Sequence, residues 1–137
     1  MTLFQEGNNM EELMNTNEEI VSLEGAPSYD VARAIVSFLD AKKGMDIKLL
    51  HVEKVSSVAD YFVVCTATSS THVRALAGEV EYQMERRGVN AYHIEGRDNN
   101  SWIVLDYCNV LVHIFNRESR EFYNIDKLYQ NTTEVEG

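Results

Sequence analysis

The chain has 137 residues, 45% of them hydrophobic, with 22 acidic side chains against 12 basic ones and a formal net charge of −10. That size suits one domain with its own core, and the apolar and aromatic content excludes a disordered or fibrous chain. No uncharged apolar stretch approaches the ~20 residues of a membrane helix, and the first 27 residues contain neither Lys nor Arg, which excludes a secretory signal or a mitochondrial transit peptide there.

The charge is unevenly placed. Residues 1–27 hold six Glu and no base, residues 130–137 hold two more Glu, and the stretch 28–129 holds 14 acids with all 12 bases. Eight of the ten surplus charges therefore belong to the ends, so repulsion from nucleic-acid phosphates applies to the ends and not to the near-neutral centre. The expected organisation is an acidic, mostly disordered extension over 1–27, one domain over 28–129, and a frayed, disordered tail over 130–137. Met10, Leu13, Met14, Ile20 and Val21 fall near helical spacing, but the segment also carries Gly7, four Asn and no base for an i,i+4 pair.

A helix is expected from Ser28, with Val31, Ala32, Ile35, Val36 and Leu39 on one face, Lys42 and Lys43 in the last turn and Gly44 as the stop. A strand follows over Ile47–Val52, then one short helical turn over Ser56–Asp60. The run Tyr61–Thr66 is continuously apolar and reads as a central strand buried on both faces. Ser69 or Ser70 caps a second helix whose stripe is Val73, Leu76, Ala77, Val80 and Met84, ending at Gly88. Strands are expected at Ala91–Glu95, Trp102–Asp106 and Val110–Phe115, the last two as an antiparallel hairpin around Tyr107-Cys108-Asn109. A final helix over Glu118–Tyr129 should pack Phe122, Ile125 and Leu128. This order implies an α/β fold with a five-stranded mixed sheet and flanking helices.

Signals for chemistry are sparse. His51, His72, His93 and His113 show no metal-ligand spacing, so no metal and no cofactor are expected. Cys65 reads as a small buried hydrophobe, and Cys108, in a turn, has no adjacent His or resolving Cys. The two Cys suit neither a disulfide framework nor a zinc ribbon, which points to a reducing, cytoplasmic compartment. The segment Ala67–Ser70 leads from a strand into a helix N-terminus, where anions bind, yet it lacks the glycines a phosphate loop needs. Asp60, Glu95, Asp98 and Asp106 lie near strand ends without the i, i+2 pairing of a two-metal site.

The stretches Ser56–Cys65, Thr68–Arg74, Glu95-Gly96, Trp102–Tyr107, Val110–Phe115 and Arg120–Ile125 resemble, in order and across 28–129, the Iojap or ribosomal silencing factor (RsfS) family. The resemblance implies a fold related to nucleotidyltransferases but without their catalytic acids. It also implies a non-enzymatic function: binding the large ribosomal subunit through ribosomal protein L-fourteen, blocking small-subunit joining and lowering translation when nutrients are short. The chain departs from the family pattern in three places. Ala67 replaces a Gly before the double serine, Cys108-Asn109 replaces Gly-Asp, and Leu128-Tyr129 replaces Leu-Trp.

The residues expected to meet the partner are Trp102, Asp106, Tyr107, Arg120 and Tyr123. Trp102, the sole Trp, is either an interface anchor at the sheet rim with Tyr107 and Tyr123 as companions, or a core residue packed on the last helix. Competing readings are a metal-dependent nucleotidyltransferase working through Thr68–Ser70, and a homodimer formed along a sheet edge left by Ala91–Tyr107. If the acidic extension keeps the protein off rRNA phosphates, removing residues 1–27 should strengthen nonspecific RNA binding at low salt in a filter-binding assay. Unchanged binding would remove that role.

Overall fold

The computed structural model describes residues 20–53, 59–128 and 133–135. Helix α1 spans Ser28–Ala41 and starts behind Pro27, whose φ of −58° already suits a helix entry. It buries the expected face, Val31, Ala32, Ile35, Val36 and Leu39. Its stop differs in mechanism from the expectation. Lys43 takes the left-handed conformation (φ 66°), while the Gly44 N–H returns to the Leu39 carbonyl at 2.9 Å. Gly44 is needed for space, since a Cβ there would lie 2.5 Å from Cys65 Sγ.

Strand β1 (Met45–His51) starts two residues earlier than expected, with an irregular register between Met45 and Lys48. Strand β2 (Tyr61–Ala67) is buried from Phe62 onward, as its unbroken apolar run requires. Helix α2 (Ser70–Arg86) is capped by Ser69, whose Oγ accepts the His72 N–H at 3.1 Å, and buries the whole expected stripe. Gly88 follows with φ 86°, the left-handed stop expected of a glycine. Strands β3 (His93–Glu95), β4 (Trp102–Asp106) and β5 (Val110–Asn116) come next, with β4 and β5 forming the antiparallel hairpin.

The last helix is broken. Helix α3 (Arg117–Tyr123) ends where Asn124 turns left-handed at φ 46°, and a single turn, α4 (Ile125–Leu128), follows. Ile125, after the break, is buried as expected, but Phe122, on α3 ahead of it, is 78% exposed instead of packed. Residues Thr133–Val135 form strand β6 against β1, in a segment expected to fray. The sheet is thus the expected mixed five strands plus one more, in the order β3-β4-β5-β2-β1-β6.

Among the described residues only β2 and β5 pair in parallel. Helices α1 and α2 cover one face over a large core that includes Ile35, Leu76, Met84, Ile103, Leu105 and Ile114. The other face carries a smaller core of Leu50, Val52, Phe62, Val64, Phe115 and Ile125. The short turn at Ser56–Asp60 falls mostly outside the described residues, as do Met10, Leu13 and Met14. At the other boundary, ordered contacts begin before residue 28. Leu23 and Ala26 pack on the helix-side core, and the Leu23 N–H reaches the Arg87 carbonyl at 2.8 Å. A truncation meant to test the acidic extension should therefore stop at residue 19.

At the β4–β5 turn, Cys108 occupies a left-handed conformation (φ 71°), held by its N–H donating to Asp106 Oδ1 at 2.7 Å. That conformation costs a non-glycine residue about 1–2 kcal/mol, while a glycine would cost part of it back as unfolded-chain entropy. Cys108→Gly is expected to raise stability by about 0.5–1 kcal/mol, a melting-temperature gain of a few degrees under reducing conditions.

Candidate functional site

The period-2 alternation of strands divides the expected contact residues between two faces. Trp102, Val104 and Asp106 of β4 point away from α1 and α2, and their cross-strand partners Phe115, His113 and Leu111 on β5 point the same way. Beside them on β3, His93 and Glu95 pair with Asp106 and Val104. Tyr107 is one residue out of phase. It is 8% exposed and belongs to the helix-side core, where burial, and to a lesser degree Glu81 and Glu85, raises its phenol pKa. Tyr107 is therefore separated from Trp102 and does not act as its neighbour.

Trp102 is half-buried. Its ring centroid lies 4.9 Å from Phe115 and 4.5 Å from Tyr123, which makes the indole the link between sheet and last helix. Its Nε1 donates to His113 Nδ1 at 3.2 Å. Trp102 also lines a surface cleft of about 150 Å³ with Glu95, Gly96 and Val104. Gly96 has φ 93°, and a Cβ there would collide with the Trp102 carbonyl oxygen, so only glycine lets the chain enter β4 this way. Tyr123 is 46% exposed and meets Phe122 edge-on at 5.0 Å. Trp102, Tyr123 and Phe122 form a continuous aromatic patch at one end of this face.

Arg120 and Asp106 are held at the margins. Arg120 donates to Thr66 Oγ1 at 2.6 Å, which ties α3 to the end of β2. Asp106 sits four residues along β4 from Trp102 and is committed to the Cys108 N–H. The structure thus brings together Trp102 and Tyr123, places Arg120 and Asp106 on the same side, and excludes Tyr107. Phe122, Val104, Leu111 and His113 complete the face without having been expected among the contact residues. The odd spacing between residues 102 and 107 was a legible sign that they face apart.

The strand-to-helix turn considered for phosphate is closed by its own side chains. The Thr68 N–H donates to His72 Nδ1 at 2.9 Å, and His72 Nε2 donates to the Lys42 carbonyl at 3.0 Å. Ser69 takes the His72 N–H, so two donors at this helix start are already used. The strand-end carboxylates are similarly engaged: Asp60 accepts from Ser28 Oγ at 2.9 Å, and Glu95 contacts His93 Nε2 at 2.9 Å. Cys65 is fully buried, which pushes its thiol up to about 12, whereas Cys108 is exposed. Among the described residues no helix is long and apolar enough to cross a membrane.

Fold and face together define a two-sided α/β domain: helices seal one side of the sheet, and the other presents an aromatic patch beside a shallow cleft. Comparison with known proteins gives that class a family. Residues 25–137 match the family model described as ribosomal silencing factor during starvation, RsfS. The ribosomal silencing factor RsfS of Bacillus subtilis is 38% identical over 90 residues, 66% of this chain and 76% of that protein. A mouse protein named for mitochondrial assembly of the ribosomal large subunit is 29% identical over 98 residues, 69% of this chain and 43% of that protein. A crystal structure of a Chromobacterium violaceum protein superposes with a TM-score of 0.72 at 27% identity, covering 82% of this chain and 88% of the other. The chain belongs to the RsfS family.

One consequence of the site concerns pH. Burial pulls His113 down to about 4 from its ordinary 6.5. The unfolded chain therefore takes up a proton that the folded chain refuses, and stability falls as pH drops from 6.5 towards 4. The loss should reach about 3 kcal/mol at pH 4. Urea melts of His113→Leu across this range should show a visibly flatter acid limb than the unaltered protein.

Proposed function

We propose that this chain is a ribosome-silencing factor that acts by occupation and not by catalysis. It binds the large ribosomal subunit through ribosomal protein L-fourteen in the cytoplasm and blocks joining of the small subunit. The observation that carries the reading is the aromatic patch of Trp102, Tyr123 and Phe122 on the sheet face that α1 and α2 leave free. A large aromatic anchor, half-buried and beside a cleft, is the usual centre of a protein interface, and Asp106 and Arg120 fit a polar rim. Family membership supplies the ribosomal context.

The mechanism needs no turnover. A domain that covers a standard interface of about 1,200–2,000 Å² places its bulk where the other subunit must dock. Factor and small subunit then compete for the free large subunit by mass action. The near-neutral charge of residues 28–129 suits docking on a protein more than tracking a phosphate backbone. The nucleotidyltransferase alternative gains no support from the Thr68–Ser70 turn, whose donors serve His72 and the cap.

Sucrose gradients of purified subunits, with and without the protein, test the proposal. Cosedimentation with the large subunit and a fall in joined ribosomes is expected; sedimentation with neither subunit would refute it. Trp102→Ala should weaken large-subunit binding about thirty-fold, or ~2 kcal/mol, and restore subunit joining. Light scattering at micromolar concentration separates a monomer from a pair of chains joined along the outer edge of β3.

A further inference from the structure

His113 has a burial and a bonding pattern that stability alone does not explain. It lies on β5 in the smaller core, only 6% exposed, with its ring 4.8 Å from Phe62 and 6.2 Å from Phe115. Its Nδ1 accepts the indole N–H of Trp102 at 3.2 Å, so its own proton must sit on Nε2. That Nε2 is buried and has no hydrogen-bond partner among the described residues. A buried N–H without a partner is costly, and an apolar side chain of similar size would avoid the cost. The polar atom that is used points at one group only, the indole of the contact face.

We propose that His113 is a positioning residue of the docking face: its Nδ1 fixes the orientation of the Trp102 indole so that the free edge faces the cleft beside Glu95 and Val104. Stacking on Phe115 and a tilted contact with Tyr123 set the inclination of the ring but do not by themselves decide which edge points outward. A ring turned over would keep most of that stacking while carrying Nε1 to the opposite side. The hydrogen bond from β5 selects one of the two. Preorganising an anchor in this way spares the complex the cost of ordering it on binding.

This inference rests on Trp102 lying in the contact with the large subunit, and the test separates the two claims. Because the chain has one Trp, its indole N–H gives a single resonance free of overlap. His113→Leu removes the acceptor and keeps the bulk, while His113→Asn restores an acceptor near the Nδ1 position. With purified large ribosomal subunits as the probe, His113→Leu should bind about ten-fold more weakly, shift the indole resonance, and melt no lower than the unaltered protein. His113→Asn should recover both the resonance and most of the affinity. A merely structural role predicts affinity losses that follow the melting temperature and no rescue by Asn, and that result would overturn the inference. Unaltered binding by His113→Leu beside weak binding by Trp102→Ala would overturn it too, leaving the docking face intact. Unaltered binding by Trp102→Ala would instead remove the docking face itself.

Discussion

The parallel ladder between β2 and β5, seven residue pairs from Tyr61↔Val110 to Ala67↔Asn116, is the constraint on which the rest of the molecule depends. Parallel strands cannot be joined by a tight turn, so the chain between them must travel back to its starting end. It does so through α2, β3 and β4. Helix α2 makes the first return, packs beside α1 on one face and buries a stripe of five residues there. The second return, β4, pairs with β5 and extends the sheet. One face is thereby sealed by two long helices, and the other receives only the short α3 and α4 after β5 has ended.

That asymmetry gives the two faces different work. The helix side holds the large aliphatic core, whose burial at about 25 cal/mol per Å² is the main source of stability. The other side is built from aromatic rings in a chain: Phe62 against His113, His113 against Trp102, Trp102 against Tyr123, Tyr123 against Phe122. Exposure rises along this chain, from buried Phe62 to Phe122 in solvent. A core that opens gradually into a surface can hold an anchor rigidly at its outer end, which a loop could not do. Gly96 fixes where β4 begins and Arg120 fixes where α3 sits, so both ends of the patch are tied to the sheet.

Most of this architecture is written in local patterns. The uninterrupted run Phe62–Thr66 can only be a strand covered on both sides, and the stripe from Val73 to Met84 can only be a helix face. What was not legible depends on partners distant in sequence. Strand β6 is short and polar, and its extended form is supplied by the free edge of β1. The left-handed Asn124 breaks the helix between Phe122 and Ile125 and so parts two residues that a continuous helix would keep on one face, one conformational choice that no periodicity announces. In the site, strand parity alone places Trp102 and Asp106 together and Tyr107 apart. The bond between Trp102 and His113 depends on a cross-strand register that a single sequence does not reveal.

Everything proposed for this protein turns on whether the sheet face free of α1 and α2 is the one that meets the ribosome. Hydroxyl-radical footprinting of the full chain, alone and with purified large ribosomal subunits, tests it most directly, because exposed aromatic rings stand on both sides. Tyr29 on α1 and Tyr82 on α2 report on the helix side, and Trp102, Phe122 and Tyr123 on the other. Bound subunits should protect Trp102, Phe122 and Tyr123 while Tyr29 and Tyr82 stay reactive. Protection of Tyr29 and Tyr82, with the aromatic patch as reactive as before, would contradict it.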